Sequence, residues 1–332
     1  MKLLRTVIRH YSHRAALFGA GLCLCASAEA AISAKQYPDF TRINISGADA
    51  TGMKASASGN ILTLTLPANS SITAAALKLL PKPVQVETAL IALESPARAI
   101  EVLGALRAAT EDTLAAFELM PRIAIEAAVT HVSGQRDPFG APYPWYALLE
   151  THETAENGGN ILETILAGFI EKGLIADAAV AQNQAQARAF WSLREAIVEA
   201  QRHLGASLKH DLAVPVGRMA AFIEKGSQIA TQHIPGVKIY AFGHVGDGNV
   251  HFNLGQPDTM DTNTFTAKRE SMAALLHDVT REFGGAISAE HGIGRFKRAE
   301  FHRTVDPAEL GMMKKMKLAL DPNNLLNPGV LF

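Results

Sequence analysis

Two histidines, His244 and His251, flank the stretch Val245-Gly-Asp-Gly-Asn-Val250. Asp247-Gly248 is a strong hairpin signal, because a type I′ turn needs positive φ at both central positions. Counting outward from that turn, Gly246 faces Asn249, Val245 faces Val250 and His244 faces His251. Opposed residues of an antiparallel pair have Cβ atoms about 4.5–5.5 Å apart, close enough for two imidazoles to share one metal ion. Asn253 lies two residues beyond His251 and so on the same face. Downstream, Ser288-Ala-Glu-His-Gly-Ile-Gly294 adds the carboxylate of Glu290 and a third imidazole, His291. Two histidines and one glutamate leave coordination positions open, as a catalytic metal requires. In extended chain Glu290 and His291 point to opposite faces, so Glu290 can reach a metal while His291 faces substrate as general base. The plain alternative is a hairpin carrying two solvated histidines.

Two cations could bind an anionic substrate. Arg194 sits within Trp191-Ser-Leu-Arg-Glu-Ala-Ile197, on a helix, and offers a fork. Lys209 lies in Ser207-Leu-Lys-His-Asp-Leu212, read as a strand, and offers a point charge. A solvated helix face for Arg194 and an exposed strand edge for Lys209 are the competing readings. The remaining histidines (His131, His152, His203, His210, His233, His277, His302) have no comparable arrangement and read as surface or core residues.

The elements that must position these residues begin near Val84. Strands are expected over Val84–Leu93, Leu114–Met120, Tyr146–Glu150, Ala178–Ala181 and Ser207–Val214, before the hairpin at 237–254. Helices are expected from Pro96 behind a Ser95 cap, after Pro121, and over Asn160–Glu171, Ala185–Arg202, Val216–Gln232, 263–283 and Pro307–Leu318. A hairpin inside a β–α alternation favours an α+β fold, an antiparallel sheet with helices mainly on one face, over a doubly wound parallel sheet.

With 332 residues, 48% hydrophobic and 19% charged, the chain is long enough for two or three domains with an ample core. The net charge of −1 and scattered lysines and arginines give no nucleic-acid footprint. Residues 1–30 form a basic leader with an apolar run from Ala15 to Ala26 and a small-x-small site at Ala28-Glu-Ala30. That pattern suggests export to the periplasm or medium, with a mitochondrial presequence as second choice. Cys23 and Cys25 both lie in it, so a chain cut after Ala30 has no cysteine for a disulfide or a metal. Residues 31–71 read as a short β-rich segment around Ile61-Leu-Thr-Leu-Thr-Leu66, with a glycosylation triplet at Asn69-Ser-Ser71.

Three separated motifs carry a resemblance: Gly243-His-Val-Gly-Asp-Gly-Asn-Val-His-Phe-Asn253, Ser288-Ala-Glu-His-Gly-Ile-Gly294 and Asp321-Pro-Asn-Asn-Leu-Leu-Asn-Pro-Gly329. Together they resemble the C-terminal half of the FAD-linked oxidases of the D-2-hydroxyglutarate dehydrogenase, D-lactate dehydrogenase and glycolate oxidase type. The resemblance covers about residues 72–332. It implies a ferredoxin-like substrate and metal domain over 84–332, preceded at 72–83 by the last strand of an FAD-binding domain and its exit linker.

It further implies that His244, His251 and Glu290 hold a divalent metal, zinc or a similar ion, and that His291 takes the substrate hydroxyl proton. Arg194, Lys209 and Asn253 would contact substrate, and Asn327 lies in the tail motif that approaches the flavin. The reaction implied is oxidation of a D-2-hydroxy acid to the 2-oxo acid with hydride passing to FAD. The electron acceptor and any self-association are left open. Residues 1–71 lack the glycine-rich loop of a pyrophosphate site, so most of the FAD-binding domain is missing and FAD is expected on a partner chain, or the chain is a truncated or rearranged gene product. The alternatives are an exported module that binds metal and hydroxy acid without redox activity and, ranked lowest, a metal hydrolase. Val198 stands where some relatives that use a dicarboxylate carry a hydroxyl. The family suggests the cytoplasm or mitochondrion, the leader export.

Overall fold

The computed structural model describes residues 85–110, 113–153 and 161–332 and, before them, the backbone of seven short strands. The rest of the leader, the triplet at Asn69 and positions 82–84 fall outside the described residues. Two compact units are present. One comprises Met1–Gln85, Glu153–Glu156 and Gly311–Leu326, the other Val86–His152, Asn157–Leu310 and Asn327–Phe332.

The first unit holds β1 (Ala15–Ala16), β2 (Ala31–Tyr37), β3 (Phe40–Ser46), β4 (Lys54–Ser58), β5 (Ile61–Thr65), β6 (Ala74–Lys78) and β7 (Leu80–Pro81). The period-two pattern at Ile61 becomes β5, the centre of a β4-β5-β6 meander. β2 pairs with β3 and β1 with β7.

The second unit begins with β8 (Gln85–Leu93), α1 (Pro96–Ala109), β9 (Leu114–Pro121), α2 (Arg122–His131), β10 (Trp145–Glu153), α3 (Ile161–Glu171) and β11 (Asp177–Val180). The strand order β11-β8-β10-β9 is that of a split β-α-β, ferredoxin-like unit. Next come α4 (Gln184–Ala200), β12 (Ser207–Leu208), β13 (Asp211–Ala213), α5 (Met219–His233), β14 (Lys238–His244) and β15 (Asn249–Gly255). β14 joins β9, so β14, β15 and β12 extend the same sheet, and β13 pairs with β15. The chain continues through α6 (Thr262–Thr266), α7 (Arg269–Glu282), α8 (Arg298–Thr304) and α9 (Pro307–Leu320), of which 311–320 belong to the first unit. The pairings β9·β10, β8·β11, β9·β14 and β14·β15 are all antiparallel.

Local chemistry explains the helix starts. The Ser95 side chain accepts from Arg98 N–H with Pro96 in the first turn, and Asn183 accepts from Ala185 and Gln186 N–H to open α4. Helices cover both faces of the sheet, not mainly one. Ala89, Ile91, Leu93, Phe117, Leu119 and Phe252 pack with α1, α3, α5 and α7. Leu90, Met120, Tyr146, Leu148, Tyr240 and Phe242 pack with α2 and α4. Because both faces are covered, β8 is buried at every position from Glu87 to Leu93. Each large side chain so buried contributes about 1.5–3 kcal/mol.

Two expected elements divide. The strand expected over Ser207–Val214 breaks at Lys209-His210, where His210 Nδ1 bonds the Phe252 carbonyl at 2.8 Å and the His210 backbone N–H donates to Asn253 Oδ1 at 3.2 Å. The helix expected over 263–283 is α6, capped by Asp261, and then α7, with Ala267 and Lys268 between them. Helix α8, not among the expected helices, has no buried residue and so no apolar periodicity to announce it.

Candidate active site

The hairpin forms, but in a different register from the one the turn signal predicts. His251 pairs with Phe242, and His244 pairs with Glu118 of β9. Two glycines are the reason. Gly243, at φ 144°, takes β14 off the β15 ladder and onto β9, and Gly248, at φ 88°, closes a 3₁₀ turn over Val245–Asp247 instead of a two-residue turn. The shift is by two residues, so the side chains keep their face. His244 and His251 still meet, ring centroids 6.4 Å apart and edge-on.

Glu118, His244, Phe242, His251 and Asp211 are joined by direct cross-strand pairing, which places them on the sheet face covered by α2 and α4. Glu118 is buried; one of its oxygens binds Nδ1 of His244, and the other accepts from Arg194 Nε at 2.8 Å. Burial would raise the Glu118 pKa, but the His244 hydrogen bond and the Arg194 charge hold it below the usual glutamate range. The same hydrogen bond raises the His244 pKa. With Nδ1 engaged, His244 turns Nε2 toward Glu290 Oε1, 3.2 Å away. The Asn249 amide donates to that oxygen at 2.6 Å and fixes the carboxylate.

His251 is the less exposed imidazole, and burial lowers its pKa. One ligand atom each from His244, His251 and Glu290 lies within 4.8 Å of the others. That donor set, two imidazole nitrogens and a carboxylate with one imidazole braced by a second carboxylate, suits a zinc-like divalent ion. His291 stacks on His251 at 6.1 Å between centroids. Its side chain is 66% exposed and that of Glu290 45%, so the cluster opens outward.

The Glu290-His291 segment is a bend rather than extended chain, held by a residue the sequence reading passed over. Asp211 Oδ2 accepts the N–H groups of Ala289, Glu290 and His291 at 3.1, 2.9 and 2.9 Å. Burial would raise its pKa, and these N–H donors, with the nearby cations, hold it down. Lys297 adds bonds to the Ile287 carbonyl at 2.9 Å and Ser288 Oγ at 3.1 Å, and burial lowers its pKa. Glu118 had a visible signal, the sole carboxylate in Leu-Ala-Ala-Phe-Glu-Leu-Met-Pro121. Asp211 and Lys297 had none without the register.

The other sequence candidates are placed as follows. Arg194 is buried with its guanidinium over Phe242, 5.1 Å from the ring centroid. Lys209 is exposed at the break between β12 and β13 and forms no salt bridge among the described residues. Asn253 is buried and committed on both sides, Nδ2 donating to Gln201 Oε1 at 3.0 Å and Oδ1 accepting from His210 N–H at 3.2 Å. Asn327 adopts φ 47°, its carbonyl accepting from Val330 N–H.

The strand order is that of an α+β, ferredoxin-like domain, and His244, His251 and Glu290 converge on one face of its sheet with His291 beside them. Residues 82–331 match the family described as FAD linked oxidases, C-terminal domain, and the chain belongs to that family. It is 37% identical over 225 residues to a D-2-hydroxyglutarate dehydrogenase of Stutzerimonas stutzeri, covering 66% of this chain and 47% of that protein. It is 34% identical over 258 residues to a D-2-hydroxyglutarate dehydrogenase of Xanthomonas citri pv. viticola, covering 78% and 54%. The chain therefore spans about half the length of the curated relatives it matches. The fold is similar to p-cresol methylhydroxylase with substrate bound, with a TM-score of 0.53 at 14% identity over 77% of this chain and 54% of that one.

Proposed function

We propose that the second unit is the substrate- and metal-binding domain of an FAD-dependent D-2-hydroxy-acid dehydrogenase. The observation that carries this reading is the convergence of His244, His251 and Glu290 beside the outward-facing His291. His244, His251 and Glu290 would hold a divalent ion, which would supply a lowered pKa at the substrate hydroxyl, and FAD held by a separate domain would supply the hydride acceptor. The outward opening of the cluster fits a site that meets a flavin held by a separate FAD-binding domain, in a partner chain or elsewhere.

The chain's own residues do the rest. Glu118 fixes His244 with Nε2 presented, and Asn249 fixes Glu290. His291, with its backbone N–H anchored to Asp211, accepts the hydroxyl proton as general base. Arg194 keeps Nη1 and Nη2 for a substrate carboxylate while Nε stays on Glu118. Lys209 supplies a second, exposed cation, and Asn253 supports the pocket through the Gln201 and His210 bonds it makes. The substrate class is that of D-lactate, glycolate or D-2-hydroxyglutarate; the relatives' names favour the last, while Val198, exposed one turn past Arg194, offers no hydroxyl to its second carboxylate.

The test is the visible spectrum and metal content of the purified full chain, with and without added FAD. Stoichiometric divalent metal is expected in the chain itself, and flavin bands that bleach with D-lactate, glycolate or D-2-hydroxyglutarate are expected once an FAD-binding domain is supplied with FAD. Metal and hydroxy-acid binding with no flavin under any condition, a supplied FAD-binding domain included, would leave a binding module instead. No affinity for zinc or cobalt would sink the metal assignment.

A further inference from the structure

Asp211 is nearly fully buried, its side chain 2% exposed, yet only one of its oxygens has a hydrogen-bond partner. Oδ2 gathers the three consecutive N–H groups of Ala289, Glu290 and His291. Oδ1 has no bond and lies 3.8 Å from Nδ1 of His251. That proximity is built into the sheet, because Asp211 of β13 is the direct cross-strand partner of His251 of β15. A buried carboxylate oxygen without a donor is costly; the ring nitrogen beside it is His251 Nδ1, whereas His291 Nδ1 lies against the other oxygen, Oδ2, at 3.7 Å.

The arrangement repeats, from the other edge of the hairpin, what Glu118 does for His244. Glu118 is the cross-strand partner of His244 and binds its Nδ1. Each of the two imidazoles thus has a buried carboxylate directly opposite it in the ladder. A proton kept on Nδ1 leaves Nε2 as the lone-pair donor, and a ligating imidazole is commonly oriented in this way.

We infer that Asp211 is a positioning residue with two tasks: Oδ2 holds the Glu290-His291 bend in place, and Oδ1 keeps the His251 proton on Nδ1. One carboxylate thereby couples the carboxylate ligand, the general base and one imidazole ligand, none of which is its neighbour in sequence except through the fold. The inference rests on the metal-site reading above, but its first half is a statement about the protein alone.

The test begins with the wild-type chain, metal-free, by long-range ¹H–¹⁵N correlation of the histidine rings. His251 is expected as the Nδ1–H tautomer; an Nε2–H tautomer would overturn the inference, whether or not the protein binds metal. The second arm is Asp211→Asn, assigned so that its amide oxygen still accepts the three N–H groups while its NH₂ faces His251. A donor there moves the ring proton to Nε2 and blocks the ligand atom. Co²⁺ affinity, read from its visible absorption, should weaken about 10–100-fold, with far-ultraviolet circular dichroism unchanged. Equal affinity and an unchanged tautomer in the variant would overturn the inference. If neither protein binds Co²⁺, the metal reading fails and the tautomer still decides the role of Asp211.

Discussion

Glu118 lies opposite His244 in the β9–β14 pairing, and its two oxygens are divided between that imidazole and the Nε of Arg194, 2.8 Å away. Both members of the Glu118–Arg194 pair are almost wholly shielded from water, their side chains 2% and 9% exposed. Removing one member leaves the other as an uncompensated buried charge. Glu118→Ala should therefore cost about 3–5 kcal/mol in urea unfolding. Adding Arg194→Met to that variant should restore most of the loss. A single-variant cost under about 0.5 kcal/mol, the level of an ordinary surface substitution, would show that the pair is not buried as described.

Gly248 carries the hairpin turn at φ 88°, and a Cβ there would run into the Val214 carbonyl. Val214 N–H in turn donates to the Gly248 carbonyl at 2.9 Å, so the turn and the end of β13 are tied together. Gly248→Ala should cost about 1–3 kcal/mol from backbone strain alone, with more from the displaced carbonyl. Because β13 carries Asp211, Co²⁺ affinity should fall as well. Calorimetry and a cobalt titration on the same preparation check both outcomes.

His210 is the histidine whose titration should be felt in folding. Burial pushes its pKa from 6.5 down to about 4, although the Phe252 carbonyl on its ring opposes the shift. The unfolded chain binds the proton near pH 6.5 and the native protein only near pH 4. Stability from this group is thus complete above about pH 6.5 and is lost as the pH falls toward about 4, by about 3 kcal/mol in all. In His210→Gln the fall of unfolding free energy over that window should be smaller by this amount, the carboxylates contributing equally to both proteins. Parallel slopes would place the ring in water.

Asn253→Ala separates support from substrate contact. The substitution strips partners from Gln201 Oε1 and the His210 N–H, both buried, and should lower stability by about 1–3 kcal/mol. If Asn253 acts only through these bonds, the KM for hydroxy acid should move no more than it does in Gln201→Ala. A KM rise confined to Asn253→Ala would assign a direct substrate contact.

Much of this protein is written locally. The Ser95-Pro96 start of α1, the strand at Ile61 and the two-histidine hairpin all follow from propensity, capping and turn chemistry, and the three C-terminal motifs point to the family. What the sequence could not determine depends on which strand lies beside which. The register of β14 moved by two residues because Gly243 exchanges one ladder for another, a choice made by β9, far away in the chain. Coverage of both sheet faces followed from α2 and α4 packing opposite α1, α3, α5 and α7. Glu118 and Asp211 became members of the site only through cross-strand pairing with His244 and His251. Side-chain types and short spacings pick out the His244–His251 pair and the Glu290-His291 pair, since each acts over a few residues. The carboxylates beside those imidazoles come from distant segments, and only the closed sheet brings them within reach.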